Sequence, residues 1–223
     1  MSDWDSWWRS KRVGVNIYPL IKWLTTQHKM LLLYEMLNNL ALDRPSILEL
    51  GAGSGMAVIR LLERFGGRAT LVDSSPEAKI FFDSSTTDHL NIEYLLSDLF
   101  TLESTDTYDL VFSDGLVEHF QGNELDELIR KHIQFLKQDG HVLIIVPREC
   151  FYIRLRDRLI ANELFFNLVM KRLGVSKPSY GYEKLYTRKE LIDLCQRLEL
   201  NVIKVKKTYK TLCVLCRKAE SPT

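Results

Sequence analysis

A chain of 223 residues, 46% hydrophobic and with a formal net charge of +1, can bury the core of one large domain and carries no global basic surface of the kind a tight nucleic-acid partner requires. Four late cysteines (Cys150, Cys195, Cys213, Cys216) are too few and too unpatterned for a disulfide scaffold. No apolar run reaches transmembrane length, and the start is polar and Trp-rich rather than signal-like, so the expectation is a soluble cytoplasmic protein.

Met1 to Tyr18 holds Trp4, Trp7 and Trp8, followed by Arg9, Lys11 and Arg12. Exposed indole is costly, so this segment should lie against something apolar. Two readings stand side by side: a packing helix, or a flap over a cleft with Trp8 stacking and Arg9 or Lys11 offered to a carboxylate. Pro19 to Leu40 reads as one helix, with Pro19 in its first turn and a broad apolar face. His28 within it is given no role.

Ile47 to Leu50 reads as a buried strand, and Met56 to Leu62 is apolar at helical spacing. Between them stand Gly51, Gly53 and Gly55. Strand, glycine turn and helix together form the setting of a nucleotide-type binding loop. Glycine allows close approach to the backbone, and the helix start supplies unpaired N–H groups. The dinucleotide pattern G-x-G-x-x-G is not met, because the third glycine comes one residue early. Glu49 precedes the loop, and a carboxylate there disfavours pyrophosphate and suits a cationic ligand. No Gly-Lys-Ser/Thr follows, so the loop is not a P-loop.

Gly66-Gly67 breaks the helix, and Arg68 to Val72 forms a second strand ending at Asp73. An acid there can accept from two vicinal ribose hydroxyls. Ser74-Ser75-Pro76-Glu77 opens the next helix. Asn91 to Leu96 is a third strand, followed by Ser97, Asp98 and Leu99. Tyr108 to Asp114, including Ser113, is the fourth. Gly115 to Phe120 leads into an amphipathic helix through Leu136, stopped by Asp139-Gly140. His141 to Pro147, apolar almost throughout, is the fifth strand.

Arg148 to Arg172 mixes Phe151, Tyr152 and Phe165 with Arg154, Arg156 and Arg158, and a loop to Tyr186 carries Tyr180 and Tyr182. A substrate lid, a packing helix and a basic amphipathic helix touching a membrane surface are the three readings, in that order. Thr187 and Glu190 form a capping box that opens a helix through Leu198. Asn201 to Val205 and Thr211 to Leu215 close the fold as a hairpin. Cys213-x-x-Cys216 lies in a strand-like run and reads as core rather than as a metal or redox pair. The expected architecture is a single α/β domain over residues 1–223. Its doubly wound, seven-stranded, mostly parallel sheet ends in a C-terminal antiparallel hairpin strand.

At Glu49-x-Gly51-x-Gly53-x-Gly55 the chain resembles the class I, Rossmann-like S-adenosylmethionine (SAM) methyltransferases, whose first motif is Glu/Asp-x-Gly-x-Gly-x-Gly. Asp109-Leu110-Val111 running into a polar turn is similar to that family's fourth motif, and the resemblance covers roughly Ile47 to Val146. It implies SAM as cofactor, held by Glu49, Gly51, Ala52, Gly53, Gly55, Asp73, Ser74, Asp98, Leu99, Ser113 and Asp114. It implies an N-terminal flap over 1–40 and a lid over 148–186. Trp8, Leu116, His119, Phe151, Tyr152, Tyr180 and Tyr182 would then enclose a small apolar or aromatic acceptor, methylated on O or N.

His119 is the candidate base, with Glu118 orienting it or binding substrate; a plain helix start is the alternative for both. Glu118-His119-Phe120 also looks like a segment of lipid-modifying cyclopropane synthases, of quinone-type O-methyltransferases and of metal-dependent RNA 3′-end methyltransferases. The last group places a carboxylate where this chain has Gly115, with Asp114 one residue further back, so no metal is expected. A lipid or quinone-type enzyme at a membrane surface, and a SAM-binding regulator without turnover, are the other functions in view.

Overall fold

A computed structural model describes residues 4, 5, 8, 19–85, 89–150, 154, 158, 162 and 182–219. Phe151, Tyr152, Tyr180 and most of the expected lid, with Trp7, Arg9 and Lys11 of the expected flap, lie outside the described residues. Strands β1 (Ser46–Leu50), β2 (Arg68–Asp73), β3 (Ile92–Leu96), β4 (Tyr108–Asp114) and β5 (Leu136–Pro147) follow helices α1 (Pro19–Leu37), α2 (Met56–Phe65), α3 (Pro76–Asp83) and α4 (Gly122–Gln134) in alternation, except that β3 and β4 are joined without a helix. Helix α5 (Arg188–Arg197), β6 (Leu200–Lys207) and β7 (Thr211–Lys218) complete the order.

The strands make one sheet in the order β3-β2-β1-β4-β5-β7-β6. β1 to β5 pair in parallel, while β7 runs antiparallel to both β5 and β6. The turn at Thr208–Thr211, closed by the Thr208 N–H on the Thr211 carbonyl at 2.9 Å, is too short for a crossover and reverses the last strand. Side chains alternate between the two faces. Leu48, Leu50, Val142 and Ile144 pack in one cluster with Leu128 of α4 and Leu191 of α5. Ile47, Leu143 and Ile145 pack in the other with Leu33 of α1 and Leu61 of α2. Strand period two thus covers both faces of the sheet and makes three layers. It also separates Cys213 from Cys216, which lie in opposite clusters and cannot ligand one ion. Among the described residues no helix is long and apolar enough to cross a membrane.

One boundary differs from the sequence reading. α4 ends at Gln134, and Asp139-Gly140 lies inside β5 rather than stopping a helix. Phe135 and Leu136 are buried, and the Tyr108 N–H donates to the Phe135 carbonyl at 2.8 Å, so the chain is captured by the sheet early. The register then jumps from Tyr108↔Leu136 to Leu110↔His141, and the polar residues between are carried out as an irregularity.

α4 is tied to β4 by His132, which is fully buried. Its Nδ1 lies 2.8 Å from the Leu128 carbonyl and must donate there, so Nε2 accepts from the Ser113 hydroxyl at 2.9 Å. Burial pushes this imidazole down to about 4, against the backbone hydrogen bond that favours its charged form. The unfolded chain binds that proton near pH 6.5. The stability His132 contributes is therefore complete above about pH 6.5 and lost as pH falls toward 4, by about 3 kcal/mol in all. Urea unfolding at pH 7 and pH 4.5 should show His132→Gln with a shallower acid loss than the wild type; parallel losses would remove His132 as the cause.

Candidate active site at the carboxyl edge of the sheet

Strand order reverses between β1 and β4, and the crevice beyond their carboxyl ends is where doubly wound sheets take ligands. Gly51, Gly53 and Gly55 line its start in left-handed conformations, at φ 67°, 54° and 64°. Their surroundings differ. A Cβ at Gly55 would stand 2.5 Å from Leu71 and 3.1 Å from Phe82, so this glycine lets α2 begin against the core. A Cβ at Gly53 would stand 2.6 Å from the Trp8 indole, and one at Gly51 would stand 2.7 Å from Leu116. Trp8 and Leu116, both expected beside substrate, therefore lie directly on the loop.

Asp73 holds that loop. Its carboxylate accepts from the Gly53 N–H at 2.7 Å and, through the other oxygen, from the Ser75 N–H at 2.8 Å. Burial raises its pKa, more than those N–H groups lower it. Each oxygen keeps a further acceptor position, which is what a pair of ribose hydroxyls requires. Tyr94 donates to the Gly53 carbonyl at 2.9 Å and braces the turn from β3. Ser74 is exposed beside it, and Ser75 caps α3 and donates to Asp5. Asp98 accepts from the Phe100 N–H at 2.9 Å and is exposed, while Leu99 is half-buried.

Two expected cofactor residues have other work. The Ala52 side chain is buried in the core, and its N–H donates to Val72 at 3.0 Å. Ser113 is fully buried with its hydroxyl on His132. Strand alternation turns Ser113 away from the crevice and Asp114 toward it.

The centre of the site is an acid cluster. Glu49 and Glu118 are 3% and 4% exposed, and Asp114 ends β4, the neighbour of β1 that leads on to Glu118. Lys29 of α1 reaches in, with Nζ 2.6 Å from Asp114 Oδ2. Burial, then the Asp114 charge, pushes the Glu49 carboxyl well above its ordinary value, with Lys29 opposing. Burial chiefly pushes Glu118 up to about 8. Each of these two carboxyls has a buried Oε2 without a hydrogen-bond partner. Three acids share one ammonium, an arrangement suited to a further cation.

Glu118 and His119 sit on a single 3-10 turn, Val117–His119. His119 Nδ1 is 2.9 Å from the Tyr182 carbonyl, which can only accept, so Nδ1 carries the proton and Nε2 the lone pair. Burial lowers its pKa and keeps the imidazole neutral near pH 7. The Trp4 ring meets it edge-on at 4.8 Å. The Glu118 carbonyl accepts from the Lys184 N–H at 2.9 Å, and Arg148 bridges Tyr186, so the segment after β5 leaves and returns beside this turn. Tyr182 itself is 45% exposed.

Lys29, Asp5 and Tyr94 escaped the sequence reading, while Trp4 was read only as part of the N-terminal flap or packing helix. Lys29 had a signal: it stands three, four and seven residues before Leu32, Leu33 and Met36, all buried, so a charge occupies the core stripe of α1.

The sheet order, the glycine turn and the acids at β1 and β2 give the fold of the class I, Rossmann-like methyltransferases. Residues 47–140 match the methyltransferase domain family. Over 111 residues the chain is 32% identical to (S)-coclaurine N-methyltransferase of Thalictrum flavum subsp. glaucum, covering 48% of this chain and 30% of that protein. Over 178 residues it is 24% identical to phosphoethanolamine N-methyltransferase 1 of Triticum aestivum, covering 78% of this chain and 35% of that one. The chain thus spans about a third of the length of these curated relatives. A magnesium protoporphyrin IX methyltransferase from Synechocystis, solved with S-adenosylhomocysteine, superposes with a TM-score of 0.68 at 14% identity, over 97% of this chain and 94% of that one, a likeness of fold.

The cofactor of the family is SAM, and the site fits it: orphaned carboxyl oxygens for positive charge, acceptor positions on Asp73, and a loop that a side chain would obstruct. Asp73→Asn should weaken S-adenosylhomocysteine binding about tenfold or more in calorimetry, since a charge-assisted acceptor is lost. Unchanged affinity in a folded variant would remove Asp73 from the cofactor site.

Proposed function

We propose that this protein transfers a methyl group from SAM to the nitrogen of a small amine. The observation that carries the reading is buried Glu118 with half-buried His119 beside Glu49 and Asp114, an acidic floor with a neutral imidazole at its rim. The curated relatives named above are both N-methyltransferases, which favours N over the O-methylation also expected from the sequence.

Bound here, SAM supplies an activated methyl group, so the protein needs to align, dehydrate and manage one proton. Glu118, in its carboxylate form, attracts the ammonium of the acceptor. His119 Nε2 accepts the proton that frees the nitrogen lone pair. The Tyr182 carbonyl fixes the tautomer that makes this possible. Trp4 and Trp8 form part of an N-terminal flap that keeps water from the reacting atoms.

The test is methyl transfer from SAM to a panel of small primary, secondary and phenolic acceptors. Amines should be methylated and phenols not. His119→Ala should lower kcat by about 10² with cofactor affinity retained. A rate equal to wild type across pH would end its role as base.

The carboxyl of Glu118, raised to about 8, adds a pH signature. Below that value it is protonated and no longer attracts a cation. Acceptor affinity should therefore rise with pH by up to about tenfold per unit until the Glu118 carboxyl has ionised. Glu118→Gln should flatten the corresponding fall in KM; an unaltered slope would assign it to another group.

A further inference from the structure

The acid cluster contains one cation among the described residues, and neither fold nor proton chemistry explains it. Lys29 projects from the core stripe of α1, beside Leu33 and Met36 one and two turns on, into the end of the β1–β4 crevice. Burial lowers its pKa, but Asp114, Glu49 and Glu118 outweigh that, so it stays charged. Asp114 receives it at 2.6 Å.

Asp73 marks the ribose end of the crevice, at the tip of β2. Glu49 and Asp114 mark the other end, at the tips of β1 and β4. The amino-acid end of the cofactor carries both an ammonium and a carboxylate. The ammonium has Glu49 Oε2, buried and without a partner, to meet it. The carboxylate would face Glu49, Asp114 and Glu118 together, and an anion among three acids is repelled unless a cation stands there.

We propose that Lys29 receives the carboxylate of the cofactor's methionine end, and is thereby the residue that separates SAM from adenosyl sulfonium compounds lacking that carboxylate. This rests on the methyltransferase reading. Lys29 is supplied with charge and held in place by Asp114, while its three N–H donors allow it a second acceptor. The same ion pair prevents a cationic acceptor from entering the cofactor end, because that position is already neutralised.

Calorimetry on the full chain with SAM and with decarboxylated SAM tests this. The two ligands share adenosine, sulfonium and amine and differ in the carboxylate. Wild type should prefer SAM by about tenfold or more, the worth of a charge-assisted hydrogen bond. Lys29→Met should lose most of that preference, through weaker SAM binding with decarboxylated SAM little changed. Lys29→Arg should restore much of it. Equal weakening of both ligands in Lys29→Met would make Lys29 a support for Asp114 only and overturn the proposal. Equal wild-type affinities would overturn it without any variant, whatever the folding of Lys29→Met. Wild type binding neither ligand would overturn the methyltransferase reading and this proposal together, a result distinct from binding both alike.

Discussion

Burying Glu49 at the end of β1 is the constraint around which this site is built. A carboxylate removed from water costs several kcal/mol unless it is paired or protonated. Here it is 3% exposed, with Asp114 and Asp73 close enough to raise its pKa further. Lys29 offsets part of that repulsion, and protonation of Glu49 and Glu118 relieves more. Both carboxyls nonetheless keep an oxygen that bonds to nothing. Those two oxygens are the acceptors that a cation entering the crevice would meet. A folded chain keeps such a cluster because the sheet around it is packed on both faces, with Leu50 and Val72 in one core cluster and Leu71 and Phe112 in the other.

The same constraint explains the division of labour in the glycine loop. Gly55 is needed by the core, since Leu71 and Phe82 occupy the space of its side chain. Gly51 and Gly53 face outward, and the groups over them are side chains, Leu116 and Trp8, rather than backbone. Half-buried Leu116 and Trp8 can rotate away where the close-packed Leu71 and Phe82 cannot. Asp73 fixes the loop through N–H groups instead of through its own burial in the core, so the turn keeps its shape while its outer surface stays open to exchange.

Much of this was legible in the chain because it follows local rules. Alternating and continuous apolar runs gave the strands, three glycines and an acid gave the loop, and Thr187 with Glu190 gave a capping box that is present with both of its bonds. What stayed hidden depends on long-range partners. The start of β5 was masked by polar residues that the register irregularity expels, so helix and strand signals overlapped at Phe135 and Leu136. Ser113 looked like a site residue because it precedes Asp114, and only His132, nineteen residues on, shows where its hydroxyl goes. Lys29 is 85 residues from Asp114, and its meaning exists only once both are in place.

The N-terminal residues join the two halves of the site. Trp4, Asp5 and Trp8 are helical, and positions four apart share a face. Trp8 reaches Gly53 and Phe81, Asp5 takes the hydroxyl of Ser75, and Trp4 meets His119. One face therefore touches the loop that would hold the cofactor, the cap of the helix after Asp73, and the imidazole proposed as base. The Trp8 ring rests on the outward surface of a glycine that a bound cofactor would also approach, so the two compete for contact there. Contact between Trp4 and His119 involves no such overlap. A cofactor filling the loop would displace Trp8, while Trp4, four positions before it, stands against the imidazole.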